Sequence, residues 1–322
     1  MSTTANSRPV VVVLESIDPS GIDILSGACD VRQMANPNDP ALDEAMAVAD
    51  ALIVRSTRVS ADLMAKGPEL RVIGRHGAGT DNIDLDAAKR RGITVVNTPR
   101  SNTDSVAEYV ITVSLMLLKR IDEVSGRLRC GAFDPAQGSL PGQVSRAGLS
   151  GREAAGSRLG LIGAGAIGRA VAVRAQALGM HVCAYDPFLP DDFISGFGIE
   201  PMGTLTELLS GVDIATLHVP GGGENTSLIG ASELASMRAQ SILINAGRGD
   251  LVDTDALAEA LASGHLAGAA IDVFEPEPPA TDSPLFSAPN AILTPHMAAM
   301  TVEALQRMAQ DVATGVIEAL AA

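Results

Sequence analysis

The 322-residue sequence is 46% hydrophobic and carries 38 acidic against 23 basic side chains, a formal charge of -15. That balance argues against nucleic acid and anionic membrane as partners, and no apolar run reaches the roughly 20 residues a membrane helix needs. The length predicts two domains. The polar start, Met1 to Arg8, has no signal-like apolar region, and Cys29, Cys130 and Cys183 lack metal-ligand spacing, so a cytoplasmic protein with reduced thiols and no metal is expected.

Residues 9–14 form a Val-rich run of the kind shown by a strand buried on both faces. Strand-like runs recur at 51–54, 71–74 and 94–96, with helix-compatible stretches at 40–48 and 85–91. This βαβ alternation predicts a parallel sheet with helices on both faces over the first hundred residues. Glu15-Ser16-Ile17-Asp18, not a glycine fingerprint, follows the first strand, so this half is not expected to carry a dinucleotide. In the stretch from Arg75 to Asn82, the small residues Gly77, Ala78 and Gly79 follow a strand and expose N–H groups suited to a carboxylate, with His76 beside them. Residues 102–129 read as one long helix, with Val106, Val110, Val113, Leu117 and Ile121 at helical spacing. Its apolar face is too broad for a solvent-exposed helix. Residues 131–156 are rich in Gly, Ser and Pro and predict an arm lying over something, such as a partner subunit.

The stretch from Leu159 to Arg169 is a short apolar run that breaks into Gly163-x-Gly165-x-x-Gly168 and turns helical, with Ala166 and Ile167 opening the helix. The first glycine permits a tight turn, the second a close approach to a pyrophosphate, and the third close helix packing. A second apolar run, 180–185, ends in Asp186, placed to accept from the adenosine ribose hydroxyls and to repel a 2′-phosphate. NAD is the expected cofactor. Further βα units reach residue 296, so a dinucleotide-binding Rossmann unit is expected at 104–296. The last helix, 299–320, is expected to return to the first domain, making that domain 1–103 with 297–322. The fold class is α/β with two doubly wound parallel sheets.

Ligands of open α/β sheets bind beyond the carboxyl ends of strands. Arg248, Glu277 and His296 all follow predicted strands. A guanidinium holds a carboxylate through two parallel bonds. A Glu beside a His favours the imidazolium, which suits a group that hands over a proton. His218 is read as lining the cofactor, and His181 and His265 as structural.

With these residues in place, the chain resembles the D-isomer-specific 2-hydroxyacid dehydrogenases over nearly its full length. The matching stretches are 74–84 (GRHGAGTDNID), 102–109 (NTDSVAEY), 163–168, 245–252 (NAGRGDLV), 270–278 (AIDVFEPEP) and 294–296 (TPH). The resemblance implies an active-site cleft between the domains, with Arg248 orienting the substrate carboxylate and polarising its carbonyl. It implies His296 as acid/base with Glu277 as its partner. Amides from Gly77 through Ala78 to Gly79 would bind the substrate carboxylate, and Asp272 would meet the nicotinamide carboxamide. Ala246 and His218, Val219 and Pro220 would line the cofactor, and the region 119–156 would serve a homodimer.

Arg55-Ser56-Thr57 resembles the phosphate-holding segment of phosphoglycerate dehydrogenases but is one residue short. Arg55, Arg100 and His76 are candidates to hold a second anion, and Ser56 to bind substrate. The tail Met297-Ala298-Ala299-Met300 is bulkier than is usual in the family, and no C-terminal regulatory domain is expected after the last helix. The expected substrate is D-3-phosphoglycerate or a similar dianion, with hydroxypyruvate or glyoxylate next. A corepressor-like NAD-sensing scaffold is the non-enzyme alternative. Formate dehydrogenase is disfavoured, because its relatives pair the histidine with glutamine.

Overall fold

The computed structural model describes residues 8–322, so the expectation for the N-terminal stretch lies, Arg8 apart, outside the described residues. The chain forms two compact units, one ending at Thr103 and resuming over Ala299–Ala322, the other Asp104–Ala298.

In the first unit β1 (Val10–Val13), α1 (Pro19–Ala28), β2 (Asp30–Gln33), α2 (Leu42–Met46), β3 (Ala51–Val54), α3 (Ala61–Ala65), β4 (Val72–Arg75), α4 (Leu85–Arg90) and β5 (Thr94–Asn97) alternate, joined by the terminal helix Val302–Ala321. All pairings are parallel, in the order β2-β1-β3-β4-β5. Successive strand side chains point to opposite faces. Val12, Leu52, Val54 and Ile73 pack with Met46, Met64 and Ala87 on one face. Val11, Val13, Ile53 and Val72 pack with Leu25, Ala309, Val312 and Val316 on the other. Double coverage is why these strands read as unbroken apolar runs. The exception is β2, Asp-Val-Arg-Gln, an edge strand that tolerates polar side chains and that the sequence pattern does not reveal.

The second unit holds α5 (Thr103–Leu118), α6 (Ile121–Arg129), α7 (Leu140–Arg146), β6 (Arg158–Ile162), α8 (Ala166–Ala177), β7 (His181–Tyr185), α9 (Asp191–Ser195), β8 (Glu200–Pro201), α10 (Leu205–Gly211), β9 (Ile214–Leu217), α11 (Ala231–Ser236), β10 (Ile242–Asn245), α12 (Thr254–Ala262), β11 (Gly268–Ile271) and β12 (Ala291–Leu293); the terminal helix is α13. Its seven parallel strands run β12-β11-β10-β9-β6-β7-β8, with the sequence order reversing between β6 and β9. Leu159, Leu161, Ile214 and Ile244 pack with Val110 and Val113 of α5 and Val171 and Ala175 of α8. Ile162, Leu217, Leu243 and Ile271 pack with Leu208, Leu234 and Leu257 on the opposite face.

Three sequence expectations are corrected. The helix expected over 102–129 is two helices, because Arg120 adopts φ 53° and ends the run. The break has a partner: the Arg152 N–H donates to the Leu118 carbonyl at 2.8 Å, taking an acceptor the helix would have used. Residues 131–156 are not an irregular arm throughout, since they contain α7 and a short turn at Pro135–Gln137 tied together by the buried Gln143. The last helix starts at Val302 and not at 299. Thr301 caps it by accepting from the Ala304 N–H, while the Met297 and Ala298 N–H groups go to Asp272. Among the described residues no helix is long and apolar enough to cross a membrane, and Cys29, Cys130 and Cys183 are free.

Candidate active site

The glycine loop follows the buried strand β6. Gly163 has φ 96°, and a Cβ there would come within 2.8 Å of the His218 carbonyl oxygen. A Cβ at Gly168 would collide with the Gly163 carbonyl. These two glycines are required by the chain's own packing. Gly165 is different: a Cβ there meets nothing within 4 Å. It caps α8 without a side-chain partner, so the helix opens, at Ala166 and Ile167, with unspent N–H donors beside open space. Room and donors together fit a dinucleotide pyrophosphate.

Around the loop, Asp186 accepts from the Ala164 N–H at 2.9 Å and from the Phe188 N–H at 3.0 Å. Val219 packs against Gly163, and the Pro220 carbonyl accepts from Asn225. Burial pushes the His218 imidazole down to about 4, so it is neutral near pH 7; its Nε2 lies 3.2 Å from the Thr216 hydroxyl. Arg169, which sequence reasoning passed over, donates to the Ala164 carbonyl and sits 5.4 and 5.2 Å from the Phe193 and Phe197 rings. The only sequence hint of that clamp was two Phe four residues apart.

Beyond β10, the partly buried Ala246 opens a turn shaped by Asn245, whose side chain accepts from the Gly247 N–H and donates to the Arg248 carbonyl. Gly249 lies so close to the Phe274–Glu275 backbone that no side chain fits. The loops after β10 and β11 are thereby held together. Beyond β11 and β12, His296 Nδ1 lies 2.9 Å from Glu277 Oε2, with both side chains nearly half exposed. A carboxylate only accepts, so Nδ1 carries the proton of this bond. Asp272 is fully buried. It accepts from the Thr294 hydroxyl at 2.6 Å and from the Met297 and Ala298 N–H groups at 2.8 Å each.

In the first unit, the Gly77 N–H is spent on the Arg75 carbonyl. Among the described residues, the Ala78 and Gly79 N–H groups have no partner, which leaves them for an anion. The Arg75 guanidinium crosses Gly77, a placement sequence reasoning missed although the residue stood inside the quoted motif. His76 is buried; burial and the nearby Arg55 hold it down to about 4. Ser56, expected to meet substrate, spends both its N–H and its hydroxyl on the Glu15 carboxylate, which also takes the Arg55 and Thr57 N–H groups. Arg55 donates its guanidinium to the Ser16 carbonyl and the Met300 sulfur. Arg100 is exposed.

Residues 111–298 match the model of the D-isomer specific 2-hydroxyacid dehydrogenase NAD binding domain. The chain belongs to that family. It is 40% identical over 314 residues to a D-3-phosphoglycerate dehydrogenase of Mycobacterium leprae, covering 97% of this chain and 57% of that protein. It thus spans little more than half the length of that relative. With the (S)-sulfolactate dehydrogenase of Chromohalobacter salexigens it shares 41% identity, over 92% of this chain and 94% of that one. The crystal structure of D-lactate dehydrogenase from Aquifex aeolicus with NAD and lactic acid superposes with a TM-score of 0.81 at 30% identity, covering 96% and 94% of the two chains. The glycine loop and Asp186 therefore lie in the NAD-binding domain of a dehydrogenase family.

Proposed function

We propose that this chain transfers a hydride reversibly between NAD and C2 of a D-2-hydroxy acid or the matching 2-keto acid. The observation that carries the reading is the 2.9 Å contact between His296 Nδ1 and Glu277 Oε2, within a domain of the NAD-binding family. Bound NAD supplies or accepts the hydride. Glu277 holds Nδ1, so Nε2 is the nitrogen that gives a proton to the forming alkoxide or takes one from the hydroxyl. Arg248 pairs with the substrate carboxylate and stabilises charge developing on the carbonyl oxygen. The Ala78 and Gly79 N–H groups are donors suited to a carboxylate. A carboxylate partner for the histidine, where formate dehydrogenases pair it with glutamine, separates this reading from that activity.

Two relatives carry names with a phospho or a sulfo group beside the acid. This supports a three-carbon substrate with a second anion, D-3-phosphoglycerate first, held by Arg55. Hydroxypyruvate and glyoxylate come next, because Glu15 already fills the donors of residues 55–57. A cytoplasmic homodimer is the proposed state, supported by exposed Ile121, Leu128 and Leu140 on α6 and α7.

The test is the initial rate of NADH oxidation with 3-phosphohydroxypyruvate, hydroxypyruvate, glyoxylate and pyruvate, for wild type and His296→Gln. Turnover with at least one acid, lowered about 10²- to 10⁴-fold by the substitution, is expected. No turnover with any acid would replace this reading by the scaffold one, and an unimpaired His296→Gln would remove the histidine from its role.

A further inference from the structure

His296 sits at φ 52°, a left-handed conformation that L-residues adopt only when their surroundings hold them there. What holds it is Asp272. The Asp272 carbonyl accepts from the His296 N–H at 2.7 Å. Its carboxylate accepts from the next two N–H groups, those of Met297 and Ala298. The remaining bond to that carboxylate comes from the Thr294 hydroxyl, 2.6 Å away, whose oxygen lies 2.6 Å from the Tyr109 hydroxyl on α5.

The direction of this chain follows from proton counting. A carboxylate only accepts, so Thr294 donates its single proton to Asp272 and must accept from Tyr109. Burial pushes the Tyr109 phenol up to about 12, so it keeps its proton at working pH. Ser105, one turn earlier on α5, donates to the Ala298 carbonyl at 2.7 Å and pins the same turn from its far end.

We propose that Tyr109 and Thr294 are positioning residues for His296, acting through the buried Asp272 carboxylate to hold the backbone turn that sets Nδ1 against Glu277. Neither needs to touch substrate. Each fixes where the carboxylate stands, and the carboxylate fixes the turn. The inference rests on the role given to His296 above. Small displacements of a catalytic group cost turnover steeply, of order 10²-fold for about 1 Å.

The experiment compares Thr294→Val, Thr294→Ser and Tyr109→Phe with the wild type, all checked for folding by circular dichroism. Three readouts are taken: kcat for keto-acid reduction, the dissociation constant for NADH, and the Nδ1–H resonance of His296 in ¹⁵N-histidine-labelled protein. For Thr294→Val the expected result is a fall in kcat of about tenfold or more, NADH affinity within about twofold, and loss of the Nδ1–H resonance through exchange with water. Thr294→Ser keeps the hydroxyl and should stay close to wild type on all three. Tyr109→Phe, which keeps the ring, should fall between and guards against a valine variant that does not fold.

Folded Thr294→Val or Tyr109→Phe with an intact Nδ1–H resonance would overturn the proposal. So would a serine variant as impaired as the valine one. A drop in NADH affinity with the resonance intact would assign the network to the cofactor instead. If the wild type turns over no keto acid, the proposed function fails, yet the resonance still decides whether Thr294 and Tyr109 hold His296.

Discussion

Asp186 carries two loads at the residue scale. Its oxygens tie the glycine loop to the end of β7 through the Ala164 N–H, and the second load, proposed for it, is to repel the 2′-phosphate of NADP. Hydrogen bonds to a charged group contribute about 1.5–3 kcal/mol. Asp186→Ala is therefore expected to lower kcat/KM with NADH by about ten- to a hundredfold. It should lower kcat/KM with NADPH much less, so the preference for NADH narrows. Steady-state rates with both cofactors check this. An unchanged ratio would mean that the carboxylate serves only the loop. Glu15 shows the same economy in the first unit: four donors from residues 55–57 hold its pKa down to about 2 despite the opposing effect of burial.

Packing at the element scale can be probed within a single helix. Gly21 and Gly27 both lie in α1. A Cβ on Gly21 would stand 2.6 Å from the Ala309 carbonyl oxygen of α13, whereas one on Gly27 meets nothing within 4 Å. Alanine exceeds glycine in helix propensity by about 0.8–1 kcal/mol, so Gly27→Ala is expected to stabilise by roughly that amount. Gly21→Ala should instead destabilise by about 1–3 kcal/mol, because a backbone crossing cannot yield as a side chain can. Urea midpoints of the two variants give opposite signs if α1 and α13 pack as closely as described. Two midpoints shifting the same way would refute the close crossing.

For the whole molecule, stability should fall on the acid side in two stages. His76 has a folded pKa near 4, below the ordinary imidazole value of about 6.5. The unfolded chain then binds a proton that the folded one refuses. Stability is complete above about pH 6.5 and is lost as pH falls toward 4, by on the order of 3 kcal/mol. His218 shifts the same way, again because burial disfavours its charged form, and it acts in the same window. Glu15 acts in the next window: its depressed pKa contributes stability above about 4.5 that disappears as pH falls toward 2. Denaturant titrations from pH 7 to 4 should show the first stage, and His76→Asn should flatten it. A stability constant down to pH 4.5 would mean that the imidazole is solvated.

The sequence determined the class of fold, because strands buried on both faces must be continuous apolar runs and the helices between them must carry one apolar face. It also determined the glycine loop, whose spacing is a backbone requirement, and it named Arg248, Glu277 and His296 as polar residues following strands. It did not reveal β2 or the two-residue β8, since edge strands need little apolar patterning. It read α5 and α6 as one helix, because the break at Arg120 depends on the Arg152 N–H arriving from 32 residues further on. Tertiary structure alone decided that Glu15 fills the donors of Arg55, Ser56 and Thr57, that Ala78 and Gly79 keep theirs, and that Asp272 grips the turn carrying His296. The reason is common to all of these. Periodicity records which face of an element is buried, whereas a hydrogen bond between a carboxylate and residues tens of positions away leaves no period in the chain.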